Sequence, residues 1–307
     1  LVTKVTVKAP ASTANLGPGF DVFGLAINAF FDEITLRKAR SGISIVADDN
    51  LPKNPNDNTA GLVVSNMKRR FKIKDGIEIK IKKGIPAGFG MGSSAASAAA
   101  AAVAFDKLFN LKLDQDSLVW LAGYGEKASA GTIHYDNVAA SVLGGFVIVK
   151  ADPLKVIKVA PPTDLRMCVA IPTLDVPRKK TEFSRKVIPK RIRLSDSILN
   201  LSNASAVVAG FMAKDTSLIG RSVVDVIVEP ARKHMIPGFD QVKKNALKAG
   251  AMGVAISGAG PSVIAFASSR SDMARISKAM SRGFSSARIG SRTVICKPSK
   301  GAASMKK

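Results

Sequence analysis

At 307 residues the chain is long enough for about two domains, and 46% hydrophobic against 6% aromatic content indicates an aliphatic, Ala-rich core. Lys and Arg number 46 against 23 Asp and Glu; the formal +23 attracts nucleic acid, acidic surfaces or small phosphorylated and carboxylated molecules without choosing among them. No apolar run is long enough for a membrane span, the N-terminal residues show no signal-peptide core, and Cys168 and Cys296 cannot form a disulfide scaffold or a Cys-only metal site, so a cytoplasmic protein without a membrane partner is expected.

Residues 2–8 alternate Val, Thr and Lys and predict a strand. Pro10, Gly17, Pro18, Gly19 and Gly24 predict loops or turns over 9–24. Strands are expected over 27–37 and 43–47, a polar connector over 49–57, and a helix over 59–71. Ile77-Glu78-Ile79-Lys80-Ile81-Lys82 has the period of a strand with one apolar face. It leads into Gly88-Phe89-Gly90-Met91-Gly92-Ser93-Ser94 and then into strong helix formers ending at Phe105. Glycines allow positive φ and close approach to a ligand, and a helix start offers unpaired N–H groups and the positive end of its dipole. That order suits a phosphate. The sequence is no Walker A loop, since no Gly-Lys-Ser/Thr follows. A plain turn before a core helix is the other reading of this loop taken alone.

A helix is expected over 117–128, followed by Gly131-Thr132-Ile133-His134-Tyr135-Asp136-Asn137, and a turn and strand over 144–149. Pro153, Pro161 and Pro162 mark a domain boundary. Beyond it come a strand over 167–172, helices over 194–213 and 218–226, and strand, glycine turn and strand across 253–266. A helix over 272–284 and a strand over 287–296 complete a pattern like a ferredoxin-like layer. The basic stretch from Arg178 to Arg193 reads as a mobile, solvated loop; it holds only Phe183, so it lacks the aromatic interleaving of a single-strand platform. Residues 298–307 read as a disordered basic tail.

Three segments now stand out: Lys8-Ala9-Pro10-Ala11-Ser12-Thr13-Ala14-Asn15-Leu16-Gly17-Pro18-Gly19-Phe20-Asp21, the loop through Gly90-Met91-Gly92-Ser93-Ser94, and Ser257-Gly258-Ala259-Gly260-Pro261-Ser262. In order and character they resemble the three motifs of the GHMP kinases, the family of galactokinase, homoserine kinase, mevalonate kinase and phosphomevalonate kinase. The resemblance runs from residue 4 to about residue 296. It is closest to the homoserine kinases through residues 14–21, His134-Tyr135-Asp136-Asn137 and Glu229-Pro230-Ala231-Arg232. Met91 and Ala259 stand where relatives often carry Leu and Ser, swaps that keep apolar or small character.

The resemblance implies an α+β fold of two domains. The first, over 1–155, is similar to ribosomal protein S5 domain 2 and binds ATP; the second, over 156–297, is ferredoxin-like. The implied activity is ATP-dependent phosphorylation of L-homoserine with Mg²⁺, on the route from aspartate to threonine, by a homodimer without a specific nucleic-acid partner. ATP is assigned to Pro86, Gly88, Gly90, Met91, Gly92, Ser93 and Ser94, with Asn58 and Lys83 also at the nucleotide. Ser94 and Glu126 are the implied Mg²⁺ ligands, although Glu126 by itself reads as an ordinary helix carboxylate. The acceptor is assigned to Asn15, Asp21, His134, Thr181, Arg185, Arg232 and Gly260: arginine for its carboxylate, Asp21 for its ammonium. His134 alone reads equally as a structural imidazole, and His234 as solvated. Asn137 would orient the reacting hydroxyl, with Asp136 open between base and support. A kinase for mevalonate or a related alcohol is the nearest rival. An RNA-binding protein with the S5-like fold is the rival from another class.

Overall fold

The computed structural model describes residues 2–48, 51–126, 134–177 and 180–305, without the Thr181 side chain. Its first layer is a mixed sheet built on a long antiparallel hairpin of β1 (Lys4–Asn15) and β2 (Gly19–Ala39). Pro10 does not break β1, contrary to the loop expected over 9–24. The register with β2 shifts between Pro10 and Ala11, and such an irregularity tolerates a residue without an N–H. The turn shrinks to residues 16–18. β4 (Gly76–Lys82) pairs with β2, and β3 (Ile43–Val46) runs parallel to β4. β5 (Phe146–Lys150) pairs with β2 and β6 (Lys155–Val159) with β5, so this sheet continues past the boundary expected at 155.

Among the described residues, α1 (Thr59–Arg70), α2 (Ser93–Phe109), α3 (Gln115–Gly123) and α4 (Tyr135–Leu143) accompany this sheet. The alanines of α2 from Ala98 to Ala102 are all fully buried. Their small side chains let the helix lie close to β1 and β2 and bring its N-terminus up to the glycine loop.

β7 (Leu165–Pro172), β8 (Gly253–Ile256), β9 (Val263–Ser268) and β10 (Ser291–Cys296) form a second, wholly antiparallel sheet in the order β10-β7-β9-β8. Its topology is ferredoxin-like. α9 (Phe239–Lys248) and α10 (Met273–Ser286) cover it and seal a core of Phe239, Val242, Met280 and Phe284 against Val254 and Val263. Between β7 and α9 lie α5 (Lys180–Lys186), α6 (Leu194–Ala213), α7 (Thr216–Ser222) and α8 (Val228–Arg232).

Three further expectations change. The basic stretch contains a helix, α5, with Glu182 and Lys186 paired at 2.9 Å one turn apart. The helix expected over 218–226 is replaced by α7 and α8, because Asp215 caps the Leu218 amide and Asp225 takes the amides of Ile227, Val228 and Glu229. The tail is docked through residue 305: β11 (Ala303–Ser304) pairs with β1, Pro298 bridges Ile27, and the Ala302 N–H reaches the Ser141 carbonyl. Backbone groups of β1, β2 and α4 supply the partners that composition could not reveal. No helix among the described residues is long and apolar enough to cross a membrane.

Candidate active site

The three segments, far apart in sequence, are stitched together by short hydrogen bonds. Ser12 N–H donates to the Met91 carbonyl (3.1 Å) and Gly258 N–H to the Ala14 carbonyl (3.2 Å). The Ser257 hydroxyl donates to the Gly90 carbonyl (2.8 Å) and Asn15 Nδ2 to the Gly258 carbonyl (2.9 Å). Gly88, Gly90 and Gly92 all have positive φ, +83°, +76° and +65°. A Cβ on Gly90 would overlap the Ser257 carbonyl oxygen, and one on Gly92 the Ser12 hydroxyl. Glycine is therefore demanded by crowding as well as by conformation. Gly92 caps α2 without a side-chain hydrogen bond, so the first-turn amides and the dipole of a buried 17-residue helix point at the loop.

Beside this loop opens a cavity of about 520 Å³. Its floor is braced by Asp32, fully buried on β2. One Asp32 oxygen accepts the Gly84 and Ile85 amides (2.9 and 3.1 Å); the other takes Lys83 Nζ and the Ser97 hydroxyl. Lys83 also donates to the Ser93 carbonyl at 2.9 Å. Burial lowers the Lys83 pKa, opposed by Asp32. Glu126, only 6% exposed, is raised to about 7 by burial, partly offset by a hydrogen bond with Ser94. Asp136, 3% exposed, is likewise raised to about 7, by burial and then by the Asp21 charge. Its Oδ1 accepts the Asn137 amide at 2.6 Å, while Asn137 Oδ1 accepts the Ser12 hydroxyl at 2.8 Å.

At the other end, Arg185 Nη2 reaches both Asp21 oxygens (2.5 and 2.6 Å) and His134 Nδ1 (2.8 Å). Burial, then Arg185, lowers the His134 pKa, favouring the neutral ring. Arg185 Nε is buried with no partner among the described residues. Arg232 donates to the Ser184 and Gly258 carbonyls (2.9 and 3.3 Å), and burial lowers it to about 10. Both guanidinium carbons stand over the Phe20 ring, 5.2 and 5.1 Å from its centre. The Asp21 carboxylate and the Arg185 and Arg232 guanidinium groups thus share one cavity with the glycine loop and the α2 N-terminus.

The chain is similar to known proteins over most of its length. Residues 58–145 match the family described as GHMP kinases N terminal domain, and residues 207–286 match GHMP kinases C terminal. The homoserine kinase of Thermoplasma volcanium is 39% identical over 279 residues, 91% of this chain and 89% of that protein. That of Methanopyrus kandleri is 44% identical, covering 84% of this chain and 86% of its own. The crystal structure of homoserine kinase from Cytophaga hutchinsonii has a TM-score of 0.92 at 40% identity, covering 99% of this chain and 98% of that one. The chain belongs to the GHMP kinases, within their homoserine kinase branch. At 16% identity and a TM-score of 0.76, Lactococcus lactis galactokinase shares the fold.

In this GHMP kinase the cavity is lined by nearly all the expected positions, from Asn15, Asp21 and Asn58 through the glycine loop to Glu126, His134, Asp136, Asn137, Arg185 and Arg232. Pro86 and Gly260 are not among its lining residues. Gly260 instead presents its carbonyl to Lys180, and the Thr181 side chain lies outside what is described. Asn58 caps α1, its Oδ1 accepting the Ala60 and Gly61 amides at 3.0 and 3.2 Å. Lys83 lines the cavity while bonded to Asp32, the Ser93 carbonyl and the Ser97 hydroxyl. Phe20, Asp32 and Lys180 were not expected at the site. Phe20 could have been found, because it stands immediately before Asp21; nothing local marks the other two.

Proposed function

We propose that the protein transfers the γ-phosphoryl group of ATP to the side-chain hydroxyl of L-homoserine, giving ADP and O-phospho-L-homoserine. The observation that carries this is the Asp21–Arg185 pair inside the same cavity as the glycine loop. Without substrate the two neutralise each other. A zwitterion can enter between them, its ammonium on Asp21 and its carboxylate on Arg185, whose buried Nε has no partner among the described residues. The likeness to homoserine kinases over most of the chain supports the same reading.

The triphosphate belongs at the positive-φ loop and the α2 N-terminus, where glycine-freed amides stand without side chains in the way. The acceptor hydroxyl oxygen forms a bond to the γ-phosphorus as the bond to the ADP oxygen breaks, and the hydroxyl proton passes to solvent water. Such transfer passes through a loose transition state that depends on alignment more than on a strong base. Asn137 is assigned to orienting the hydroxyl. Asp136, bound to the Asn137 amide, is assigned to holding Asn137 in place. Ser94 and Glu126 fit a Mg²⁺: a buried carboxylate beside a hydroxyl at the phosphate loop, with too few ligands to form a cage alone. Bound there with phosphate oxygens, the ion would neutralise charge on the transferring group.

A mevalonate kinase would need a carboxylate site but no partner for an ammonium, so Asp21 favours the amino acid. ADP release measured with L-homoserine, mevalonate and shikimate separates them. Turnover on mevalonate or shikimate without homoserine-dependent release would overturn the assignment. A homodimer is also part of this reading. Leu194, Ile198, Leu201 and Met212 are 77%, 60%, 67% and 65% exposed along α6, an apolar face that a second copy would cover.

A further inference from the structure

We propose that Lys180 is a positioning residue that straps the acceptor-binding helix α5 to the turn beneath the phosphate loop. The inference rests on the homoserine reading and adds to it a residue outside the three motifs. Lys180 opens α5, five residues before Arg185, and lines the cavity. It donates to the Ala259 carbonyl at 3.1 Å and to the Gly260 carbonyl. Those two residues form the centre of the third glycine segment. On its other side that turn presses on the phosphate loop: a Cβ on Gly90 would stand 2.8 Å from the Gly260 oxygen. A continuous path therefore runs from Arg185, through one turn of α5 and the Lys180 ammonium, to the Gly260 carbonyl and Gly90.

The surroundings explain why a lysine sits there. Arg232 anchors the C-terminal part of α5 by donating to the Ser184 carbonyl, and reaches the neighbouring Gly258 carbonyl with its other arm. Lys180 makes the matching contact at the N-terminal end of the helix. Two cations thus bind the same turn through three successive carbonyls, Gly258, Ala259 and Gly260, and hold both ends of α5. The cost is electrostatic: burial, then Arg232, lowers the Lys180 pKa to about 7. α5 then holds Arg185 over Asp21, and the acceptor pocket keeps a fixed distance from the donor loop.

The test uses the full chain with Lys180→Met and Lys180→Arg. Steady-state rates are measured with L-homoserine and with ATP varied in turn, and the affinity of a non-hydrolysable ATP analogue is measured by calorimetry. Loss of two hydrogen bonds from Nζ predicts a rise of about 10- to 100-fold in the homoserine KM for Lys180→Met. The analogue affinity should stay within about threefold, and Lys180→Arg should recover most of the loss. An unchanged homoserine KM in Lys180→Met would overturn the proposal, as would a loss falling on nucleotide affinity instead. If the parent protein itself fails on homoserine but turns over another alcohol, the substrate assignment fails, and the strap is then tested by the KM for that alcohol.

Discussion

Replacing Arg185 by Met removes the group on which acceptor recognition turns. Arg185 spans 164 residues of sequence to meet Asp21 with two hydrogen bonds of 2.5 and 2.6 Å, and it stacks on Phe20. Its side chain is 32% exposed and that of Asp21 40% exposed. Solvent therefore screens the pair, and its loss should change fold stability by under about 1 kcal/mol. Substrate binding is different, because a bound carboxylate would displace that solvent. A charge-assisted hydrogen bond contributes about 1.5–3 kcal/mol, and a two-pronged contact lies at the upper end. The expected fall in kcat/KM for homoserine is therefore about 30- to 150-fold, carried mainly by KM. Steady-state kinetics with saturating ATP measure this, with the melting temperature as a control for folding. Arg185→Lys, which keeps charge but not the planar fork, should recover only part of the loss. A homoserine KM within about threefold of the parent in Arg185→Met, with the protein folded, would refute the placing of the carboxylate.

Asp21→Asn should lower kcat/KM for homoserine at least tenfold yet leave that for 4-hydroxybutanoate, which lacks the ammonium, nearly unchanged; an equal loss on both would remove Asp21 from ammonium recognition. Gly90→Ala must place a Cβ against the Ser257 carbonyl at a φ of +76°, so phosphate-loop geometry should be lost and kcat/KM should fall about 100-fold or more; near-parent activity would show the loop is less crowded than described. Asp136 is raised from 3.8 to about 7, so its folded form favours the proton and its contribution to stability, complete below 3.8, is lost as pH rises through about 7. The melting temperature of the parent relative to Asp136→Asn should therefore fall between pH 4 and pH 8, whereas a constant difference would contradict the shift. With Asp136 supporting Asn137 and not acting as base, that variant should keep kcat within about tenfold; a thousandfold loss would make Asp136 the base.

What could be read in the sequence was what is imposed locally. The glycines at 88, 90 and 92 are required by positive φ and by backbone approach, and they announce themselves between a period-2 strand and an Ala-rich helix. The ferredoxin-like order of strands and helices was visible for the same reason. Asp21, Arg185 and Arg232 were reachable only through the family resemblance, because their meeting is made by tertiary structure. Asp32 could not be found at all. In sequence it looks like any acid on a strand, and only the fold brings Lys83 and two loop amides to it. Lys180 was hidden in a run of basic residues whose composition looks solvated, yet like Arg185 it turns inward, to the Ala259 and Gly260 carbonyls. The strand through Pro10 and the docked tail were missed because pairing with a distant partner outweighed local preference.

The central claim is that one cavity aligns the terminal phosphate of ATP with the hydroxyl of an amino acid. Phosphorus NMR of the protein incubated with Mg²⁺, ATP and L-homoserine tests it most directly. A phosphomonoester resonance coupled to the side-chain methylene of homoserine, growing in step with ADP, is the predicted result. Free phosphate alone, or no consumption of ATP beyond the homoserine-free control, would contradict the account.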